Sequence, residues 1–196
     1  MVDGRDRRLV EDWPPLRGEY TVGDPASGVA VCTLSSQLRI RGAALCGPCR
    51  TENLGIEKIV ANVISNCHIR FLILCGVESR GHLPGETLLA MHKHGIDGDG
   101  RIIGSRGAIP FIQNIPAEAV QRFRAQVEVV DHIGLEDVGR IEELVEIYSR
   151  LAEPYPDAPF RVVRGRSRAS AVWPDEGDLL FGPGVIMDTA SWLIEG

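Results

Sequence analysis

The sequence predicts an α/β fold: a Rossmann-like, wound, mostly parallel sheet with helices on both faces, followed by a short C-terminal extension. Three observations carry this reading. Apolar strand-like runs alternate with helix-periodic stretches from Ser27 to about Pro154, which is the signature of strands joined by crossover helices. The run "FLILC", Phe71 to Cys75, holds no polar residue, as a strand covered on both faces requires. After Pro154 the alternation stops and prolines and arginines take over. The expected organisation is an N-terminal arm over 1–20, a Rossmann-like domain over 21–154 and an extension over 155–196.

The arm is charged and irregular, with Pro14 and Pro15 in tandem. Trp13 and Tyr20 are its expected anchors. "GVAVCTL" (28–34) reads as the first buried strand. "LRIRGAAL" (38–45) is ambiguous and is read as a short strand. A helix follows over about 52–65, with Ile56, Ile59, Val60, Val63 and Ile64 on one face, spaced as a buried helical stripe. Thr51 is the expected N-cap, because its hydroxyl can accept from a free N–H of the first turn.

"IRFLILC" (69–75) is the next strand. Pro84 suits the first turn of a helix, where a missing N–H costs nothing. His92, Lys93 and His94 crowd that helix's last turn, and Gly95 can close it with a positive φ. A short strand is expected at 101–103 after the polar turn "DGDG". Pro116 opens the helix "PAEAVQRFRAQ", "VEVVD" (127–131) is a strand, and "EDVGRIEELVEIYSRLAE" is a helix with Val138, Ile141, Val145, Tyr148 and Leu151 at helical spacing. In the extension, Trp173, Phe181 and Trp192 are the expected anchors, on the core or on a neighbouring copy.

Composition narrows the function. The chain has 196 residues, 44% of them apolar, and a net charge of −6. It lacks the basic stripe that a nucleic-acid surface needs. No apolar run approaches the ~20 residues of a membrane span, and "MVDGRDRRLVEDWPP" shows no apolar core of a signal peptide. The five cysteines are an odd number, and Cys32, Cys67 and Cys75 lie in apolar stretches. That pattern fits reduced thiols, hence a cytoplasmic location, better than a disulfide scaffold.

His82 is the leading candidate for chemistry. It follows the all-apolar strand, at the sheet end where open α/β folds bind ligands, on a glycine-flanked loop. An imidazole there can reach a metal if its second nitrogen has a partner to fix the tautomer; Glu78 is the nearest acid in sequence. The blander reading is a surface histidine ahead of a helix. "CGPC" (46–49) has dithiol spacing, yet the redox fold's own strand order and cis-proline loop are not evident, and a plain Gly-Pro turn explains it equally. A zinc site from Cys46 and Cys49 lacks a second ligand pair. "TENLG" (51–55) offers helix-start N–H groups to an anionic or amide-bearing ligand, or merely caps. "RIIGSRGAIPFIQNIP" (101–116) could let backbone approach a large flat ligand, or could be a packed connection. The phosphate-cradling GxGxxG and GxxxxGK[ST] turns and the GxSxG elbow are absent.

Taken in order, "EYTVGDPASGVAVCTL", "GPCRTENLGIEKIVANVISN", "IRFLILCG", "GHLPGETL", "DGRIIGSRGAIPFIQNIP" and "VDHIGLED" resemble the corrinoid-carrying A subunit of tetrahydromethanopterin S-methyltransferase. They cover most of 19–137. The resemblance implies a Rossmann-like fold and a cobamide (cobalamin or a relative), with His82 in the "GH" step as the cobalt ligand and catalytic residue. It implies a cofactor shell drawn from Thr33, Leu34, Thr51, Glu52, Asn53, Gly81, His82, Ser105, Ile109 and Pro110. The implied role is to carry a methyl group on cobalt from a pterin or folate donor to a second acceptor, as one component of a methyltransferase system. The implied partners are the corrinoid and a pterin- or folate-dependent methyltransferase subunit, with a homodimer as one open arrangement. The rival roles are a corrinoid store or sensor and a CGPC dithiol oxidoreductase. Three features depart from the family: no transmembrane helix is evident, the segment after Pro154 is unlike the family's tail, and Cys46 stands where the family has a small residue.

Overall fold

A computed structural model describes residues 7–162 and the strands Leu179–Gly182, Val185–Asp188 and Leu193–Glu195. The chain divides into two compact units, Met1–Val162 and Val163–Gly196. In the first, the strands are β1 (Thr21–Val22), β2 (Val29–Cys32), β3 (Leu45–Gly47), β4 (Phe71–Leu74) and β5 (Glu128–Asp131). The helices are α1 (Leu54–Ile64), α2 (Pro84–His94), α3 (Ala117–Gln126) and α4 (Val138–Leu151).

The sheet is mixed, with order β1-β3-β2-β4-β5. Strands β3, β2, β4 and β5 are parallel and β1 joins the β3 edge antiparallel. The progression runs outward from β2 to β3, then crosses back to β4 and β5. The two directions diverge between β2 and β4, and at such a switch point the loops part at the strands' carboxyl ends. Those ends are level: Cys32 pairs with Gly47 and with Leu74, and Leu74 with Asp131.

Alternation along the strands sends side chains to two cores. Ala30, Cys32, Leu72 and Leu74 face α1, α2 and α3, meeting Ile56, Val60, Leu88, Met91, Val120 and Phe123. Val29, Val31, Ile73 and Cys75 face α4 through Ile141, Leu144 and Val145. Helices therefore cover both faces, three against one. Burying each of the larger aliphatic, methionine and phenylalanine side chains among these contributes roughly 1.5–3 kcal/mol.

The winding is helical only in part. β2 and β3 are joined by an irregular crossover, not by a helix, and its Leu38, Ile40 and Ala43 pack in the α4-side core. The strand expected within 38–45 is correspondingly displaced: pairing begins only at Leu45, because the preceding residues are spent crossing the sheet. The strand expected at 101–103 is reduced to isolated bridges, Ile96 with Ile102 and Arg101 with Phe111. Each flank there makes a single pairing before the backbone turns away.

The arm is anchored as expected. Trp13 Nε1 donates to the Asn62 carbonyl at 2.8 Å, and the Tyr20 hydroxyl to the Leu16 carbonyl at 2.7 Å. Buried Asn62 also accepts from Leu16 N and donates to its carbonyl. At the opposite edge of the sheet lies β5, with Glu128 and Asp131 exposed and Val129 and Val130 half-buried. The second unit holds a three-stranded antiparallel sheet, β6 (Leu179–Gly182), β7 (Val185–Asp188) and β8 (Leu193–Glu195). The anchoring expected of Trp173, Phe181 and Trp192 lies outside the described residues.

Candidate functional site

The loops after β2, β3 and β4 converge at the carboxyl edge of the sheet. The loop after β4 turns sharply at Gly76, whose φ is +75°. A Cβ there would sit 2.3 Å from the Thr33 carbonyl oxygen, so the close approach of the two loops requires glycine. Ser35 Oγ lies 2.5 Å from Ser79 Oγ, tying the same loops together. Glu78 then caps α2 from outside, its carboxylate accepting from Gly85 N at 3.2 Å and Glu86 N at 2.7 Å. An acid at that position also complements the helix dipole. Between these two ties lie Gly81, His82 and Leu83; Leu83 holds a left-handed φ of 49°.

His82 Nδ1 lies 2.8 Å from Glu52 Oε2. The carboxylate is almost fully buried, at 1% exposure, while the imidazole is 53% exposed. A carboxylate accepts, so Nδ1 carries a proton, and in the neutral ring the lone pair then belongs to Nε2. Among the described residues Nε2 has no protein partner. The second Glu52 oxygen accepts from Ile109 N at 2.7 Å. The partner of His82 is thus Glu52, thirty positions upstream; Glu78, the nearest acid in sequence, is engaged in capping.

The first turn of α1 explains how Glu52 reaches inward. The cap is Asn53, whose side chain accepts from Leu54 N at 2.7 Å, and the Thr51 hydroxyl accepts from Gly55 N at 3.0 Å. The expectation of Thr51 as N-cap is corrected to Asn53: the helix starts two residues later, leaving 51–53 free to turn Glu52 under the rim.

The structure brings Glu52, Gly81, His82, Ser105 and Ile109 together. Ser105 Oγ lies 2.7 Å from Thr87 Oγ1 beside them, and Ile109 is 57% exposed. Thr33 and Leu34 are fully buried beneath the rim; the Thr33 hydroxyl donates to the Ser36 carbonyl at 2.8 Å. Pro110 is buried and its carbonyl accepts from Ile102 N. Thr51 is exposed and Asn53 half-buried, both on capping duty. Sequence reasoning missed Thr87 and Gly107 as members of the site; they become visible only when 105–109 is folded back on α2.

The CGPC thiols sit below this edge. Cys46 donates to the Leu38 carbonyl and Cys49 to the Thr51 carbonyl. Burial pushes the Cys46 thiol up, and the adjacent Cys32 thiol together with burial pushes Cys49 well up. A redox dithiol needs the opposite shift. The described cysteines are all free. Among the described residues no cluster of three or more His, Cys, Asp or Glu side chains could hold a metal, and no helix is long and apolar enough to cross a membrane.

The chain is also similar to known proteins. The family model described as the A subunit of tetrahydromethanopterin S-methyltransferase matches residues 6–161. The A subunit of the "Putative methyltransferase Mtx" of Methanosarcina acetivorans is 49% identical over 96% of this chain and 96% of its own length. Its namesake in Methanosarcina barkeri is 47% identical over the same shares. The A 2 subunit of tetrahydromethanopterin S-methyltransferase of Methanothermobacter marburgensis is 53% identical over 74% of this chain and 82% of its own. Alignment over 96% of the chain must reach into the second unit, so the Mtx relatives share the extension that the family model, ending at 161, leaves out. The chain belongs to the family of the tetrahydromethanopterin S-methyltransferase A subunit.

Proposed function

We propose that this chain is the corrinoid-carrying component of a methyltransferase system, in which His82 Nε2 would hold the cobalt. One observation carries the reading: an imidazole whose Nδ1 is fixed on a buried carboxylate, whose Nε2 has no partner among the described residues, at the switch point between parallel strands. A single histidine cannot make a metal centre alone. It suits a metal whose remaining positions a macrocycle already fills.

The residues fit such a group. Gly81 has a φ of +83°, and a Cβ there would meet nothing within 4 Å, so a broad ligand finds open space at that turn. Val77 and Ile109 leave about half of their surface exposed, which suits apolar contact with a flat ring. When bound, the corrinoid supplies methyl transfer at cobalt, between a pterin or folate carrier and a second acceptor on a partner protein.

The chain's own work is to bind, orient and tune. Glu52 holds the Nδ1 proton and so keeps Nε2 available as a donor. With Nε2 holding the metal, the Nδ1–H bond to Glu52 would fix the ring's orientation and keep the ligand basic. The pair therefore stabilises the ligated arrangement without either residue leaving its place. A store or sensor would use the same ligand, and only transfer of the methyl group to and from the protein separates the two roles.

The test is spectroscopic. Wild-type protein reconstituted with cobalamin is expected to show the base-off, histidine-on absorption. In the Co(II) form, nitrogen-15 labelling of the protein should alter the hyperfine splitting from the axial nitrogen. His82→Ala should lose both signatures; an unchanged spectrum in that variant overturns the assignment.

A further inference from the structure

Residues 105–109 form a second wall of the site and meet the His82–Glu52 pair at several points. Ile109 N donates to Glu52 Oε1 at 2.7 Å. Ser105 Oγ is tied to Thr87 Oγ1 at 2.7 Å and accepts from Gly107 N at 3.1 Å. Between these ties Gly107 lies directly against the pair. A Cβ added there would stand 2.7 Å from the His82 carbonyl oxygen, 2.9 Å from Glu52 Cγ and 2.9 Å from Thr87 Oγ1. All three separations are shorter than a carbon contact allows. The requirement for glycine here is one of space.

We propose that residues 105–109 act as a clasp that fixes the tautomer of His82, and that Gly107 is its positioning residue. The proposal rests on His82 as the metal ligand and adds a residue that never touches the metal. Any side chain at 107 has two ways out. It can push the Glu52 stem aside, which pulls Oε2 from Nδ1. It can instead lift the segment, which takes the Ile109 N–H from Oε1 and leaves the buried carboxylate short of an anchor. Either movement weakens the interaction that keeps the proton on Nδ1. The alternative tautomer, protonated at Nε2, has no lone pair to offer outward.

The first measurement needs no metal. Nitrogen-15 shifts of the His82 ring, recorded at about pH 8, report which nitrogen carries the proton. Wild-type protein and Gly98→Ala should show the Nδ1–H form alone; Gly98 is the control because a Cβ there meets nothing within 4 Å. Gly107→Ala should show a mixture containing the Nε2–H form. The second measurement adds cobinamide, a corrinoid without a nucleotide base, and follows imidazole-on absorption. Gly107→Ala should weaken that binding about tenfold or more, the scale seen when a ligand's supporting partner is lost.

If Gly107→Ala fails to fold, Ser105→Ala loosens the same clasp without adding atoms and should shift the tautomer in the same direction by less. Wild-type ring shifts and wild-type cobinamide binding in both variants overturn the clasp. An Nδ1–H tautomer in wild-type protein with no imidazole-on absorption overturns the ligand reading instead, so the two failures are separable.

Discussion

Asn114 presents both its backbone N–H and its side-chain amide to the Glu57 carboxylate, each at 2.9 Å. Gln113 N adds a third donor at 2.6 Å. Glu57 is 1% exposed, and burial raises its pKa above the usual carboxylate value, the three donors only partly opposing. The folded chain therefore holds this proton more tightly than the unfolded chain does. The group's contribution to stability is complete below the unfolded carboxyl range and declines as pH rises through the raised value. Urea midpoints measured between about pH 7 and about pH 4.5 should rise for wild type relative to Glu57→Gln as the solution is acidified. Glu57→Ala strands three donors and should cost about 3 kcal/mol at either pH.

Glu52→Gln tests the tautomer from the other side. One amide oxygen cannot serve both Ile109 N–H and His82 Nδ1–H in the present geometry. With the oxygen kept on Ile109, the amide NH2 faces Nδ1 and the imidazole must protonate at Nε2. The expected result is a ~10–100-fold loss of imidazole-on cobinamide binding, read by absorbance titration, with little change in the thermal midpoint. Undiminished binding would show that Glu52 does not set the ligand.

The thiols should be inert in the folded protein. All five are buried, and burial pushes Cys75 up to about 12, with Cys46, Cys49 and Cys67 also raised. Little thiolate is then present near neutrality. Iodoacetamide at about pH 8 should label the native chain slowly and all five cysteines promptly in urea, as peptide mass mapping would show. Cys46→Ser should keep the cobinamide spectrum. Rapid native labelling at Cys46 or Cys49 would restore the dithiol reading.

Gln126 closes the far end of α1. Its buried Nε2 lies 2.9 Å from the Asn66 carbonyl, 3.2 Å from that of Ile69 and 3.3 Å from that of Val63, while Oε1 accepts from Arg122. Gln126→Leu should cost about 2 kcal/mol, since these carbonyls lose a donor where water is excluded. Gln126→Glu should cost more, because it sets a charge against the same oxygens. Urea denaturation of the pair of variants checks the order.

The parts of the fold legible in the sequence are those with a period. Helices α1 and α4 lie where their apolar spacing puts them, and the unbroken apolar run of β4 is a central strand. The crossover between β2 and β3 is illegible, because "LRIRGAAL" has strand composition but spends its residues traversing a face. In the site, His82 can be located because it lies on the loop that follows β4. Its bond to Glu52 cannot, because the helix and strand lying between the two residues carry no local trace of the contact. Gly107 is hidden for a related reason: a glycine needed for space, without a positive φ, looks in sequence like any loop glycine.

Strand β5 ends the mixed sheet of the first unit, and an open edge invites a foreign strand to add itself. Here the four-residue run carries a carboxylate at each end. A second molecule approaching edge to edge would bring acid against acid, so the two side chains act as gatekeepers against polymerisation. Such protection is electrostatic. It fades in concentrated salt.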